Sequence, residues 1–341
     1  GRANTLRLAL SNQLPKDSFV SKEMYETMEL CVSCKACQRE CPMSVDMAKM
    51  KSEFLFHYYK KFSMSIKDRV ISNMPKLIWL LKIVSPIFNK IKNIPLISDV
   101  IRKFGYATER EMPTVQNQFP LKEIYKSQIK SENKVILFAD TFNINFEIQN
   151  LMYSIKVLNK FGFEVIIPSF DNDKLKRPLC CGRTYISYGQ LDKAEKELNR
   201  FVNYILVNGY YEMPIVGIEP SCLLTFSDEF KTLKNIKNRD KLKNKFYLLE
   251  EFVLEQINEG NNVSLNKFDQ DVLIHGHCHQ KSQDRIKGLT GLLSKLNINN
   301  KMIDSSCCGM AGSFGYNSKN YDVSKKMANL SLIPAVNESA D

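Results

Sequence analysis

The sequence predicts an α/β protein in which a helical segment comes first and two repeated α/β units with parallel strands follow. Three observations carry this expectation. Four cysteines, Cys31, Cys34, Cys37 and Cys41, are clustered in a stretch of otherwise helical texture. Short apolar strands alternate with amphipathic helices from Asn133 onward. The two halves of that region also align with each other, so that CCGRTYISYG at Cys180 falls on CCGMAGSFGY at Cys307.

The first element, residues 1–60, is organised by CVSCKACQRECP, whose C-x2-C-x2-C-x3-C-P spacing is that of a cubane iron-sulfur ligand set. Thiolates three positions apart converge when the chain curls around a cluster, whereas a zinc knuckle needs only pairs of cysteines. Pro42 ends the loop without needing a donor. This segment is therefore expected to be a helical, ferredoxin-like 4Fe-4S module. In two-cluster modules the fourth cysteine of such a run serves the other cluster, so Cys41 is expected to complete a second site whose remaining ligands lie upstream. The opening GRANTLRLAL has neither an initiator Met nor a signal-peptide pattern, and the natural polypeptide is expected to extend further.

Residues 61–130 read as a helical, basic connector. In PKLIWLLKIVSPIFNKIKNIPLISDVIRK, Lys76, Lys82, Pro86, Lys90, Lys92 and Pro95 interrupt every apolar run short of the roughly 20 residues that cross a bilayer. Short amphipathic helices are expected, with Leu77, Leu80, Leu81 and Val84 on one face. Residues 60–103 would either pack on their neighbours or dock peripherally on a membrane or a partner subunit.

The first α/β unit is assigned to 131–235 and the second to 236–341. Strand VILFA (135–139) precedes a helix over 146–160 that stops at Gly162, and FEVIIP (163–168) is the next strand. Asp192 is expected to cap a helix carrying Ala194, Leu198, Phe201, Val202, Ile205 and Leu206, which Gly209 closes before strand PIVGI (214–218). In the internal alignment VILFADTF (135–142) falls on VLIHGHCH (272–279), with Thr141 in the place of Cys278. Cys222 ends the first unit's third element about 40 residues after its CCG, and only about 33 residues follow the second CCG, so the matching cysteine is expected beyond Asp341.

The cysteines of both units follow predicted strands, at the carboxyl ends where open α/β sheets hold ligands. In a loop, Cys180 with Cys181, and Cys307 with Cys308, can each present two sulfurs while Gly182 or Gly309 permits the turn. A cluster is favoured there because a cubane motif occupies the same chain; a redox-active thiol pair and a zinc site are the alternatives. His275, His277 and His279 surround Cys278 and are either ligands or groups that hydrogen-bond cluster sulfurs and tune them. His57, in FLFHYY, reads as a packed residue. Gly309, Gly312 and Gly315 are spaced G-x2-G-x2-G, which is not a nucleotide loop.

With 341 residues and 44% hydrophobic content the chain can bury more than one core. Ten clustered cysteines point to metal ligation in a reducing compartment rather than to disulfides, so a cytoplasmic location is expected, peripheral on the inner face of the membrane if 60–103 docks there. The net charge of +11 accompanies a general richness in Lys, Asn and Ile, without aromatic and basic interleaving, and no nucleic-acid partner is expected.

The stretches GRANTLRLAL, LCVSCKACQRECPMSVDMAKMKSEFL, LFADTF, CCGRTYISYGQLDKA, VGIEPSC, HGHCHQK and CCGMAGSFGYN resemble the iron-sulfur C-terminal region of FAD-linked D-2-hydroxyacid dehydrogenases, of the D-lactate or D-2-hydroxyglutarate type, with their CCG domains. The resemblance is weakest over 63–130. It implies that FAD on a flavin domain or subunit outside this chain oxidises the hydroxy acid. Electrons would then pass singly through 4Fe-4S clusters to an acceptor, whether a quinone, a cytochrome or a flavoprotein. On the same resemblance Cys31, Cys34 and Cys37 hold one cluster and Cys41 completes its neighbour. Cys222, Cys278, Cys307 and Cys308, with Cys180 and Cys181, form the CCG site between the α/β halves. No catalytic residue is expected here, since the organic chemistry belongs to the flavin. The CCG units are also similar to those of glycolate oxidase iron-sulfur subunits and heterodisulfide reductases, which leaves a disulfide-cleaving subunit as an alternative. A redox-inert, zinc-stabilised scaffold is another.

Overall fold

The computed structural model of the chain describes residues 1–341 except 93, 117–123, 125, 127, 169–176, 262, 265–267, 306 and 341. Its N-terminal part consists of helices α1 (Arg2–Leu10), α2 (Lys22–Glu29), α3 (Ala36–Glu40) and α4 (Met47–Lys61). Each of the two helices that flank the cysteine run is started by a side-chain acceptor at its N-cap. Ser21 Oγ accepts from Met24 N–H, and the Asp46 carboxylate accepts from Ala48 and Lys49 N–H. Leu6, Met24, Met28, Phe54, Leu55 and Tyr58 form the core beneath them, and the half-buried Cys31 and Cys37 pack against it. His57, expected to be packed, is instead exposed on α4 with its Nε2 3.2 Å from Glu53 Oε1, because it occupies the outer face of a helix whose inner face is taken by Phe54 and Tyr58.

The connector forms α5 (Ile66–Ser72), α6 (Met74–Ile91) and α7 (Pro95–Lys103). Short helices were expected, but α6 runs for 18 residues through Pro86. The expected apolar face also points outward. Leu80 and Val84 are exposed and Leu77 is half-buried, whereas Ile78, Ser85 and Lys92 are buried on the other side. The Leu81 side chain, assigned to the same face, lies outside the described residues. Among the described residues no helix is long and apolar enough to cross a membrane.

Beyond residue 133 the fold is α/β. Strands β1 (Lys134–Phe138), β2 (Glu164–Ile166), β3 (Ile215–Gly217) and β4 (Phe246–Leu248) form a parallel sheet in the order β2-β1-β3-β4. Both of its faces are covered, as parallel sheets require. Successive β1 side chains alternate between two cores: Ile136 and Phe138 join Phe201, Phe226 and Phe246, while Val135 and Leu137 join Leu151, Ile155 and Phe252. The helix Leu191–Val207 buries the expected stripe of Ala194, Leu198, Phe201, Val202 and Ile205. Its N-cap, however, is Gln190, and Asp192 sits in the first turn, where its charge still complements the helix dipole. Strands β5 (Val272–Ile274) and β6 (Asn300–Met302) pair in parallel as a separate two-stranded sheet. The edge strand β4 comes from the stretch assigned to the second unit but pairs with β3.

The helices after the dithiol loops hold the N-terminal module in place. Gly189 has a left-handed φ of +66°, and a Cβ there would lie 2.5–2.6 Å from Leu55 and from the Phe56 nitrogen of α4. Gly189→Ala is expected to cost roughly 3 kcal/mol or more, combining left-handed strain with overpacking. Gly162→Ala, at a φ of +86° with nothing within 4 Å, should cost only about 1–2 kcal/mol. Urea unfolding of both variants measures the difference, and equal losses would show that the α4 contact carries no weight.

Candidate metal-cluster site

The cysteine run leaves α2 at Leu30 and turns twice through left-handed residues, Ser33 (φ 55°) and Lys35 (φ 59°), before α3 begins. These turns curl Cys31 and Cys34 back toward Cys37 on α3. Met47 N–H reaches Cys37 Sγ at 3.4 Å, and Lys51 Nζ donates to the Cys31 carbonyl at 2.6 Å. Lys51 lies deep enough that burial lowers its pKa. All four cysteines of the run are half-buried.

Lys35, between Cys34 and Ala36, is 1% exposed and reaches across to the α/β region. Its ammonium lies 2.9 Å from Asp46, 2.6 Å from Asp228 and 3.0 Å from Glu229. Burial opposes its charge, but Glu229 and Asp228 outweigh that effect and raise its pKa. Arg183, immediately after the first CCG loop, pairs with the same Glu229. Burial alone would raise the Glu229 carboxyl; the Arg183 and Lys35 charges overcome this and hold it below the usual carboxylate range. Sequence reasoning passed over Lys35, Asp46, Asp228, Glu229 and Arg183. The available signal was that Lys35 and Arg183 lie within or beside cysteine motifs.

The other six cysteines fall into two groups of neighbouring thiols. In the first copy Cys180 hydrogen-bonds Cys181, which hydrogen-bonds Cys222. All three are buried. The bond to Cys181 and then burial raise Cys180 well above its ordinary value, and burial does the same for Cys181. At Cys222 the bond from Cys181 lowers the pKa, but burial together with the charges of Asp140, Glu219 and Cys180 outweighs it and leaves it at about 12. In the second copy Cys308 hydrogen-bonds Cys307, which hydrogen-bonds Cys278. The bond to Cys307, followed by burial, pushes Cys308 up to about 12, while the bond from Cys307 lowers Cys278. Both loops turn on a left-handed glycine, Gly182 (φ +77°) and Gly309 (φ +80°), and a Cβ on Gly309 would stand 2.2 Å from the Ser324 carbonyl oxygen.

The helix Cys278–Ser282 packs against α3 and brings the second group of thiols to the N-terminal loop. Cys34 is close enough to Cys307 and Cys278 for their charges to act on one another. His279 Nε2 lies 3.1 Å from the Ser33 carbonyl oxygen and 3.2 Å from Arg183 Nη2, and burial followed by the Arg183 charge keeps the ring neutral. His277 Nδ1 caps the helix by accepting from His279 N–H at 3.1 Å. That is the place of Asp140 in the first copy, which caps Thr141–Asn145. His275 Nδ1 lies 2.7 Å from Ser305 Oγ, and the ring also hydrogen-bonds Cys308.

Thiol donors, left-handed turns and buried cations beside them fit an anionic thiolate-ligated cluster. Among the described residues no three His, Cys, Asp or Glu side chains converge to hold a single metal ion. A cubane takes one thiolate at each iron, so it asks for sulfurs spread around it rather than meeting at a point.

D-2-hydroxyglutarate dehydrogenase of Escherichia coli (strain K12) is 21% identical over 330 residues, 91% of this chain and 31% of that protein. One subunit of the anaerobic glycerol-3-phosphate dehydrogenase of the same strain is 26% identical over 207 residues, 60% of this chain and 50% of that subunit. An uncharacterized iron-sulfur protein of Methanococcus maripaludis is 23% identical over 306 residues, 87% of this chain and 51% of that protein. The chain thus spans about a third of the length of the first relative and about half of the other two. No protein-family profile matches it, and no solved structure matches it.

Two outcomes are expected from the site's charges. Lys35→Met leaves Asp46, Asp228 and Glu229 facing one another and should cost about 3–5 kcal/mol in denaturant unfolding, part of which Asp228→Asn should restore. In the iron-free chain the raised thiols keep protons that the unfolded chain releases. Their stabilisation is therefore complete below about pH 9 and is lost as pH rises toward about 12. The urea midpoint should fall between about pH 8 and 10.5, and less so with Cys222→Ala and Cys308→Ala combined. A midpoint that rises over that range would contradict the assignment.

Proposed function

We propose that this chain is the electron-transferring iron-sulfur part of a FAD-linked D-2-hydroxyacid dehydrogenase. It would receive electrons from reduced flavin on another domain or subunit and pass them to a quinone, cytochrome or flavoprotein acceptor. Relatives named as a D-2-hydroxyglutarate dehydrogenase, a dehydrogenase subunit and an iron-sulfur protein support an iron-sulfur oxidoreductase role. The observation that carries the relay is the packing of the helix Cys278–Ser282 on α3, pinned by His279 on the carbonyl of Ser33.

An iron-sulfur cluster, when bound, accepts and releases one electron at a time. Cys31, Cys34 and Cys37 would ligate a 4Fe-4S cluster in a ferredoxin-like module, and Cys41 would serve a neighbouring one. Cys278, Cys307 and Cys308 would ligate in the second CCG unit, and Cys180, Cys181 and Cys222 in the first. Lys51, whose ammonium donates to the Cys31 carbonyl, places a positive charge beside the N-terminal loop. His275, through its hydrogen bond to Cys308, would tune that sulfur rather than replace it. The basic helical segment 60–103 would meet a membrane or a partner.

Anaerobic reconstitution with iron and sulfide tests the reading. The chain should take up iron and show a paramagnetic centre on reduction. Cys37→Ser and Cys307→Ser should each lower the iron content by up to about four per chain, as loss of one cubane would. Stoichiometric zinc in place of iron, or iron with no reducible centre, would favour the inert scaffold instead.

A further inference from the structure

Helix α6 is inside out. Its polar residues face the protein: Asn89 holds Val115 through both its amide atoms, and Lys92 reaches the Met112 carbonyl and Thr114 Oγ1. Part of its apolar surface faces solvent. Leu80, Ile83, Val84 and Ile87 recur at i, i+3, i+4 and i+7, and Ile83 and Ile87 are 68% and 66% exposed. Helix α7 turns Ile97 and Ile101 half inward and leaves Leu96 (73% exposed), Val100 and, just past its end, Phe104 (63% exposed) at i, i+4 and i+8 on the outside. The end of α7 is tied to α5 by Lys67 Nζ, which donates to the Gly105 carbonyl at 2.6 Å.

Charge identifies what covers this face. Residues 60–103 hold ten Lys and Arg against two Asp, a net +8 of the chain's +11. Lys90, Arg102 and Lys103 are exposed beside the apolar residues. A protein–protein interface is depleted of lysine, whereas a membrane-surface helix pairs an apolar face with Lys and Arg that reach the headgroups. We propose that α6 and α7 form a docking surface for an anionic lipid bilayer, with Ile83, Ile87, Leu96 and Phe104 entering the acyl boundary and Lys90, Arg102 and Lys103 meeting lipid phosphates. The proposal deepens the partner assigned to this segment above, but it does not depend on iron.

The test is sedimentation of the whole chain with vesicles of phosphatidylcholine containing about 30 mol% phosphatidylglycerol, against vesicles of phosphatidylcholine alone. Binding should be at least tenfold stronger to the anionic vesicles and should weaken as salt rises. It should fall about tenfold or more in the Ile83→Asp/Ile87→Asp variant, with circular dichroism unchanged. Three results would overturn the proposal: no binding by the folded chain, equal binding to neutral vesicles, or undiminished binding by the folded variant. Self-association abolished by the same substitutions, without vesicle binding, would also overturn it and assign the face to a second copy. Because the readout needs no cluster, it succeeds or fails separately from the electron relay.

Discussion

One buried ammonium joins the parts of this protein. Lys35 leaves the cysteine loop and ends among Asp46, which also caps α4, and Asp228 and Glu229, which belong to the α/β region. Removing that many charges from water is costly, so the arrangement persists only because each has a close opposite charge. Its consequence is register. If the loop were displaced by a residue, its ammonium would be left uncompensated, and Asp228 and Glu229 would keep only Lys49 and Arg183 as counter-charges. Arg183 completes the set from the first dithiol loop, so the N-terminal module and a CCG turn are placed relative to one another by the same carboxylate, Glu229.

That register matters most for the thiols. The two dithiol loops use the same backbone device, a left-handed glycine after a Cys-Cys pair, and each gathers three neighbouring thiols. Their surroundings differ. The first group lies sealed in the aromatic core of Phe138, Phe201 and Phe226. Cys278 and Cys308 of the second are half-buried, and this group meets the N-terminal loop. A shared local motif thus lies in the interior beside the four-stranded sheet in one case and at a junction beside the two-stranded sheet in the other.

Much of this was legible in the sequence, and what was not has a common physical cause. The β1 to β3 strands and the stripe on Leu191–Val207 are local patterns, set by turn chemistry and periodicity. The pairing of β4 with β3 joins residues assigned to different units, and no local pattern encodes it. Lys35 in a loop reads as a solvated charge until its three partners are placed, and two of them, Asp228 and Glu229, come from a distant stretch of the chain. Asp192 resembles a cap because Asp commonly is one; the helix simply begins earlier, at Leu191.

The direction of α6 illustrates the same limit and leads to a further point. Periodicity showed that Leu80 and Val84 share a face, but period alone does not say whether that face looks inward or outward. The deciding residues are Asn89 and Lys92, whose amide and ammonium find backbone and hydroxyl partners on the segment 112–115. Once those polar groups are satisfied inside, rotating the helix to bury Ile83 and Ile87 would expose their partners and leave the backbone carbonyls without donors. The outward apolar stripe is therefore held by the polar side of the helix. A helix kept in this orientation carries its exposed face at a cost in water, which only something apolar on the outside can relieve.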